Sequence, residues 1–62
     1  MKIENTYEIT ILIEDKFSNS AETISISRPN IIEAIEIADN YAHEKYGNTY
    51  EITSIELIEE AE

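Results

Sequence analysis

One proline and one glycine divide this chain of 62 residues. Pro29 cannot join a central sheet ladder, and Gly47 is the one position free to take a positive φ at little cost, so the two bracket a segment unlike its flanks. Before Pro29 the apolar residues alternate. Tyr7, Ile9, Ile11 and Ile13 oppose Glu8, Thr10 and Glu14, which predicts a strand over about 7–14 with one buried face. Ile24 and Ile26 repeat the pattern over about 22–27, and the turn formers from Asp15 to Ser20 join the two runs into a hairpin.

Between the two punctuating residues the period changes. Asn30, followed three residues later by Glu33, is a capping-box signal for a helix over about 31–46. Ile31, Ala34, Ile35, Ala38, Tyr41, Ala42 and Tyr46 gather on one side of that helix, and Glu33, Glu36, Asn40, His43 and Glu44 on the other. Lys45 suits the negative end of the helix dipole, and Gly47 is placed for a left-handed C-terminal cap. A third strand follows over about 50–58. Tyr50 and Ile52 share one parity while Ile55 and Leu57 share the other, so a bulge is expected near Thr53-Ser54.

Strand, strand, helix, strand has few compact solutions. The expectation is an α+β fold in one domain, residues 1–62: a three-stranded antiparallel sheet in the order 2-1-3 with the helix packed on one face. Glu59 to Glu62 reads as a frayed acidic end. The other sheet face then stays uncovered in a monomer, and Leu12 lies on it, which allows a homodimer through that face.

Composition narrows the function. Fourteen Asp and Glu against four Lys and Arg give a formal net charge of -10, beyond the magnitude of roughly 2 to 8 that keeps a small domain in solution. Repulsion at this density opposes folding of a chain that buries only about 60% of its unfolded surface. A protein this short has little room for a catalytic cleft, so no enzymatic activity is expected. His43 sits near the helix C-terminus on the polar side, where its charged form favours the dipole. No glycine-rich phosphate loop is present, and the serines at 18, 20, 25, 27 and 54 have no His nearby in sequence. One His, no Cys and no calcium-loop series leave no metal set, and no cofactor is expected. Direct binding to nucleic acid or to an anionic membrane is disfavoured by the acidity, and no apolar run is long enough for a signal peptide or a membrane span. A cytoplasmic location follows as the default.

A negative surface of this strength suits a cleft built for another polyanion. Glu33 and Glu36 lie one turn apart at about 4.5 Å of rise, with Asn40 and Glu44 continuing the row and Asp39 to its side. DNA phosphates recur at about 3.4 Å along each strand, a coarse match. No Lys or Arg lies between Arg28 and Lys45, and none follows Lys45, so the acids are not there to pair within the helix. The plainer alternative is a solvated helix back. Tyr7, Tyr41, Tyr46 and Tyr50 suit the edges of a small core with their hydroxyls in water. Ile37 with Tyr41 would also make an apolar border beside the carboxylates.

The runs Tyr7-Glu8-Ile9-Thr10, Ile11-Leu12-Ile13-Glu14-Asp15 and Tyr46-Gly47-Asn48-Thr49, the last leading into Ile52 to Leu57, resemble the small dimeric uracil-DNA glycosylase inhibitors of tailed Bacillus phages. The intervening hairpin and helix are longer here. The resemblance implies a dimeric DNA mimic that fills the glycosylase's DNA-binding cleft and offers an apolar pocket to a protruding Leu of the enzyme. Tyr46 is the one site residue it carries over. The expected function is therefore stoichiometric inhibition of a host DNA-processing enzyme, uracil-DNA glycosylase first, through Glu33, Glu36, Ile37, Asp39, Tyr41, Glu44 and Tyr46. An anti-CRISPR or other anti-defence DNA mimic is the nearest alternative. A small structural dimerisation module, or a domain binding a basic partner unrelated to DNA, belongs to other classes.

Overall fold

Four elements form within residues 4–60, the part of the chain that the computed structural model describes: β1 (Asn5–Glu14), β2 (Asn19–Arg28), α1 (Ile31–Tyr46) and β3 (Tyr50–Glu59). The sheet order is β2-β1-β3 with both pairings antiparallel, and the fold is α+β as the pattern predicts. β1 starts two residues and β2 three residues earlier than the alternation suggested. The added positions, Asn5 and Thr6 in β1 and Asn19, Ser20 and Ala21 in β2, are polar or small residues in β pairing that no burial pattern marks. Glu59 is not frayed: it pairs with Thr6 within β3. Of the acidic end, residues 61–62 lie outside the described residues.

The register sets three side chains abreast on the face toward α1. Ile26, Tyr7 and Leu57 form one row, Ile24, Ile9 and Ile55 the next, and Glu22, Ile11 and Ile52 a third. Ile9 and Ile11 are fully buried because they occupy the middle of the central strand, with strands on both sides and the helix above. The parity change in β3 is resolved where the sequence placed it. Ser54 pairs with Thr10 and Ile52 with Ile11, so Thr53 is the extra residue of a bulge and Ile55 returns to the inner face. A second bulge, not anticipated, falls at Ile58: Leu57 pairs with Tyr7 but Glu59 with Thr6.

α1 begins at Asn30, whose extended backbone lets its side chain accept from the Glu33 amide at 3.0 Å. The Asn30 amide group in turn donates to the Glu33 carboxylate at 3.4 Å, so the box closes between side chains. The helix meets the sheet through Ala34, Ala38 and Ala42, all fully buried. Alanine at every fourth position brings the two backbones together without a large side chain between them. Gly47 ends the helix, its amide donating to the His43 carbonyl at 2.9 Å. With φ 69 and ψ -126 it lies outside the ordinary left-handed cap well, in backbone space that glycine alone enters comfortably. A Cβ there meets nothing within 4 Å, so any loss in Gly47→Ala is backbone strain, about 1–3 kcal/mol.

Candidate functional site

The described residues enclose no cavity, so what the molecule offers a partner is convex surface. Among them no helix is long and apolar enough to cross a membrane.

Glu33, Glu36 and Glu44 stand exposed on the outer side of α1, opposite the alanine seam. Neither Glu36 nor Glu44 has a cationic partner among the described residues. Asp39 is exposed but turned toward β3, where its carboxylate and its carbonyl accept from the Tyr50 hydroxyl, the latter at 3.2 Å. Ile37 is half-buried, one turn from Tyr41. Glu33, Glu36 and Glu44 are thus exposed on the outer side of α1, Ile37 is half-buried, and Asp39 is engaged by Tyr50.

Tyr41 and Tyr46 do not border that surface with free hydroxyls. Tyr41 donates to Glu22 Oε2 at 2.8 Å, and Tyr46 donates to Glu22 Oε1. The two are about 140° apart around the axis, yet both reach Glu22. Lys45 joins them, its ammonium 3.3 Å from Glu22 Oε2 and 3.0 Å from Tyr41 Oη. Nor is the hydroxyl of Tyr7 free, since it accepts from the Asn5 amide at 3.0 Å. Tyr7 is buried and the rings of Tyr41, Tyr46 and Tyr50 are half-covered, each with its hydroxyl on a polar neighbour, and the expectation of hydroxyls in water is corrected on that ground.

Glu22 is the residue that sequence reasoning missed. It shares parity with Ile24 and Ile26 and so belongs to the inner face, where an acid is out of place unless something satisfies it. The Tyr46 hydroxyl, then that of Tyr41, then Lys45 hold its carboxyl below the usual carboxylate range. A depressed folded value stabilises above the unfolded pKa of about 4.3 and is lost as pH falls through the folded one. Urea midpoints of the parent and Glu22→Gln are therefore expected to differ at pH 7 and to converge on acidification. A constant difference down to pH 3 refutes the linkage. The Tyr46 and Tyr50 hydroxyls are shifted the other way, up, chiefly by donating to Glu22 and Asp39. Their share of stability is present below about pH 10 and is lost on further alkalinisation.

The open face of the sheet is the second acidic surface. Glu8 sits between Ser25 and Glu56, Thr10 between Thr23 and Ser54, and Leu12 between Ala21 and Glu51. Leu12 and Ala21 are its apolar members, too few to seal a dimer, and Glu8 directly opposite Glu56 is repulsive. The exposed aliphatics lie toward one end. Ile31, Ile32, Leu57 and Ile58 are 43 to 67% accessible, and the pairing of Asn5 with Arg28 and of Thr6 with Glu59 puts the start of α1 and the end of β3 at one end of the molecule.

No protein-family model, characterised protein or solved structure matches this chain.

Proposed function

We propose that this protein is a stoichiometric inhibitor that sets the outer carboxylates of α1 in the basic DNA-binding cleft of a host DNA-processing enzyme, with uracil-DNA glycosylase as the first target. The observation that carries this is the exposed row Glu33, Glu36 and Glu44, which has no cationic partner among the described residues, Lys45, the lysine of the helix, being turned to Glu22. A helix back whose acids served only for solubility gains by interleaving lysines at i+4 spacing; here the one lysine available is spent inward. Ile37 adds an apolar contact within the row, and opposite fields steer the encounter. The place of action is the host cytoplasm. The sequence resemblance supplies the choice of glycosylase.

Uracil excision from a fluorescent oligonucleotide tests the assignment. Inhibition is expected at equimolar protein in low salt and weakens as salt rises. Absence of inhibition at low salt removes glycosylase as the target. Inhibition of another DNA-handling enzyme, a defence nuclease among them, keeps the mimicry and changes its object.

A homodimer on this scheme forms through the aliphatic corner of Ile31, Ile32, Leu57 and Ile58 and leaves the acidic sheet face open. Two chains of charge -10 repel, so self-association measured by sedimentation is expected to strengthen with salt, the reverse of enzyme binding. Self-association that weakens with salt contradicts an apolar contact.

A further inference from the structure

Lys45 occupies a position that the rest of the protein prepares for it. Its ammonium lies 3.4 and 3.3 Å from the two Glu22 oxygens and 3.0 Å from Tyr41 Oη. The ring centres of Tyr41 and Tyr46 are 5.4 and 5.3 Å away. A nitrogen so near the Tyr41 oxygen and so far from the ring centre stands off the hydroxyl edge, not over the π face. At Tyr41 the attraction is therefore by the oxygen lone pairs, and together with the two Glu22 oxygens it suits a cation that carries N–H donors.

The acceptors have anchors other than Lys45. Glu22 lies in β2 opposite Ile11, and the Tyr41 and Tyr46 hydroxyls both donate to its carboxylate and hold its orientation. Lys45 is the loose member: it sits in the last turn of α1, its side chain is 50% accessible, and its stem has four rotatable carbons. Exchanging one ammonium for another leaves no carboxylate unpaired, so the swap avoids the penalty of breaking a charge pair.

We propose that Glu22, Tyr41 and Tyr46 form a receptor for a primary ammonium group, filled by Lys45 in the free protein and open to a lysine side chain of a basic partner once Lys45 swings into water. The partner in this scheme rests on the function proposed above, whereas the receptor is a property of the isolated chain. A partner must then present a lysine in register with the end of α1 as well as a basic surface, which adds selection that a diffuse acidic field lacks.

Lys45→Met keeps the aliphatic stem and removes the ammonium. Titration with n-propylammonium, followed by two-dimensional proton–nitrogen NMR, is expected to move the amide signals of Glu22, Tyr41 and Tyr46 saturably. Affinity should be about two- to fivefold higher than in the parent chain, the worth of one exposed ion pair. Tetramethylammonium, which has no N–H, should leave these signals in place. No saturable shift, an equal response to tetramethylammonium, or equal affinity in the parent chain overturns the inference. A second measurement does not depend on that variant. In the parent chain the Lys45 ammonium protons should exchange with water more slowly than those of Lys16, and Glu22→Gln should abolish the difference; equal exchange of Lys45 and Lys16 means the receptor is not occupied. None of these readouts involves a glycosylase, so failure of enzyme inhibition and failure of the receptor are separable.

Discussion

Ile11→Ala is expected to leave the protein largely unfolded at 37 °C. Ile11 is fully buried at the centre of β1, between Glu22 and Ile52 and beneath α1. Removing its side chain beyond Cβ costs about 2–5 kcal/mol, the lost transfer energy plus the cavity left behind. Native stability at roughly 0.05–0.15 kcal/mol per residue comes to about 3–9 kcal/mol for a chain of this length, so the loss is of the order of the whole. The core has no reserve. Among the described residues its fully buried side chains are two isoleucines and three alanines, with Tyr7 nearly so, and a self-repelling surface already draws on what they provide. Ile11→Val, which removes one methyl, is expected to cost about 1 kcal/mol and to keep a cooperative transition. Far-UV circular dichroism through a thermal ramp separates the two. A sharp Ile11→Ala transition within a few degrees of the parent would mean that the helix does not cover the centre of β1.

The half-buried shell accounts for why the core is so small. Ile24, Ile26, Ile52 and Ile55 pack against it from the outer strands without being closed over, because one helix of 16 residues cannot roof a three-stranded sheet of ten-residue strands. Leu57 at the end of β3 shows the limit. It lies beside the buried Tyr7, in an inward row, yet remains 48% accessible.

Most of this architecture was legible in the residues. The alternation in β1 and the capping signals at Asn30 and Gly47 are local, and a three-strand sheet with one helix allows few topologies, so the order β2-β1-β3 followed from the elements. The Thr53 bulge was legible too, since Tyr50 and Leu57 cannot both face inward without one. The bulge at Ile58 left no such trace, because no inward residue lies beyond it to reveal a change of parity. Helical periodicity placed Glu33, Glu36 and Glu44 outside correctly, but it misjudged Ile31. An angle around the axis says which way a side chain points and nothing about whether the sheet extends beneath it. Nothing in the spacing of Tyr41 and Tyr46 reveals that their hydroxyls are committed to Glu22. The available signal was the odd acid in an inward series, Glu22-Thr23-Ile24-Ser25-Ile26. What it meant required a contact across 19 and 24 residues, which spacing along one element does not disclose.

Neutralising the helix back separates a functional charge row from an incidental one. In Glu33→Gln/Glu36→Gln/Glu44→Gln three exposed carboxylates are lost from one surface while the side chains keep their size. If that surface enters a basic cleft, association with uracil-DNA glycosylase in low salt slows by about 10- to 100-fold, within the range that electrostatic steering spans, and its dependence on salt flattens. Stability moves the opposite way. Repulsion falls, and apart from the Asn30 contact of Glu33 no bond is given up, so the urea midpoint should hold or rise. Glu8→Gln/Glu56→Gln on the open sheet face is the matched control. It relieves a direct cross-strand repulsion and should stabilise the fold while changing association less than threefold, the residue of a longer-range field. Stopped-flow binding and urea melts of the two variants give four numbers with fixed signs. If the sheet-face pair slows association as much as the helix triple does, overall charge alone drives the encounter and α1 presents no particular surface. A helix triple with unaltered association would show that the row Glu33, Glu36 and Glu44 is a solvated helix back.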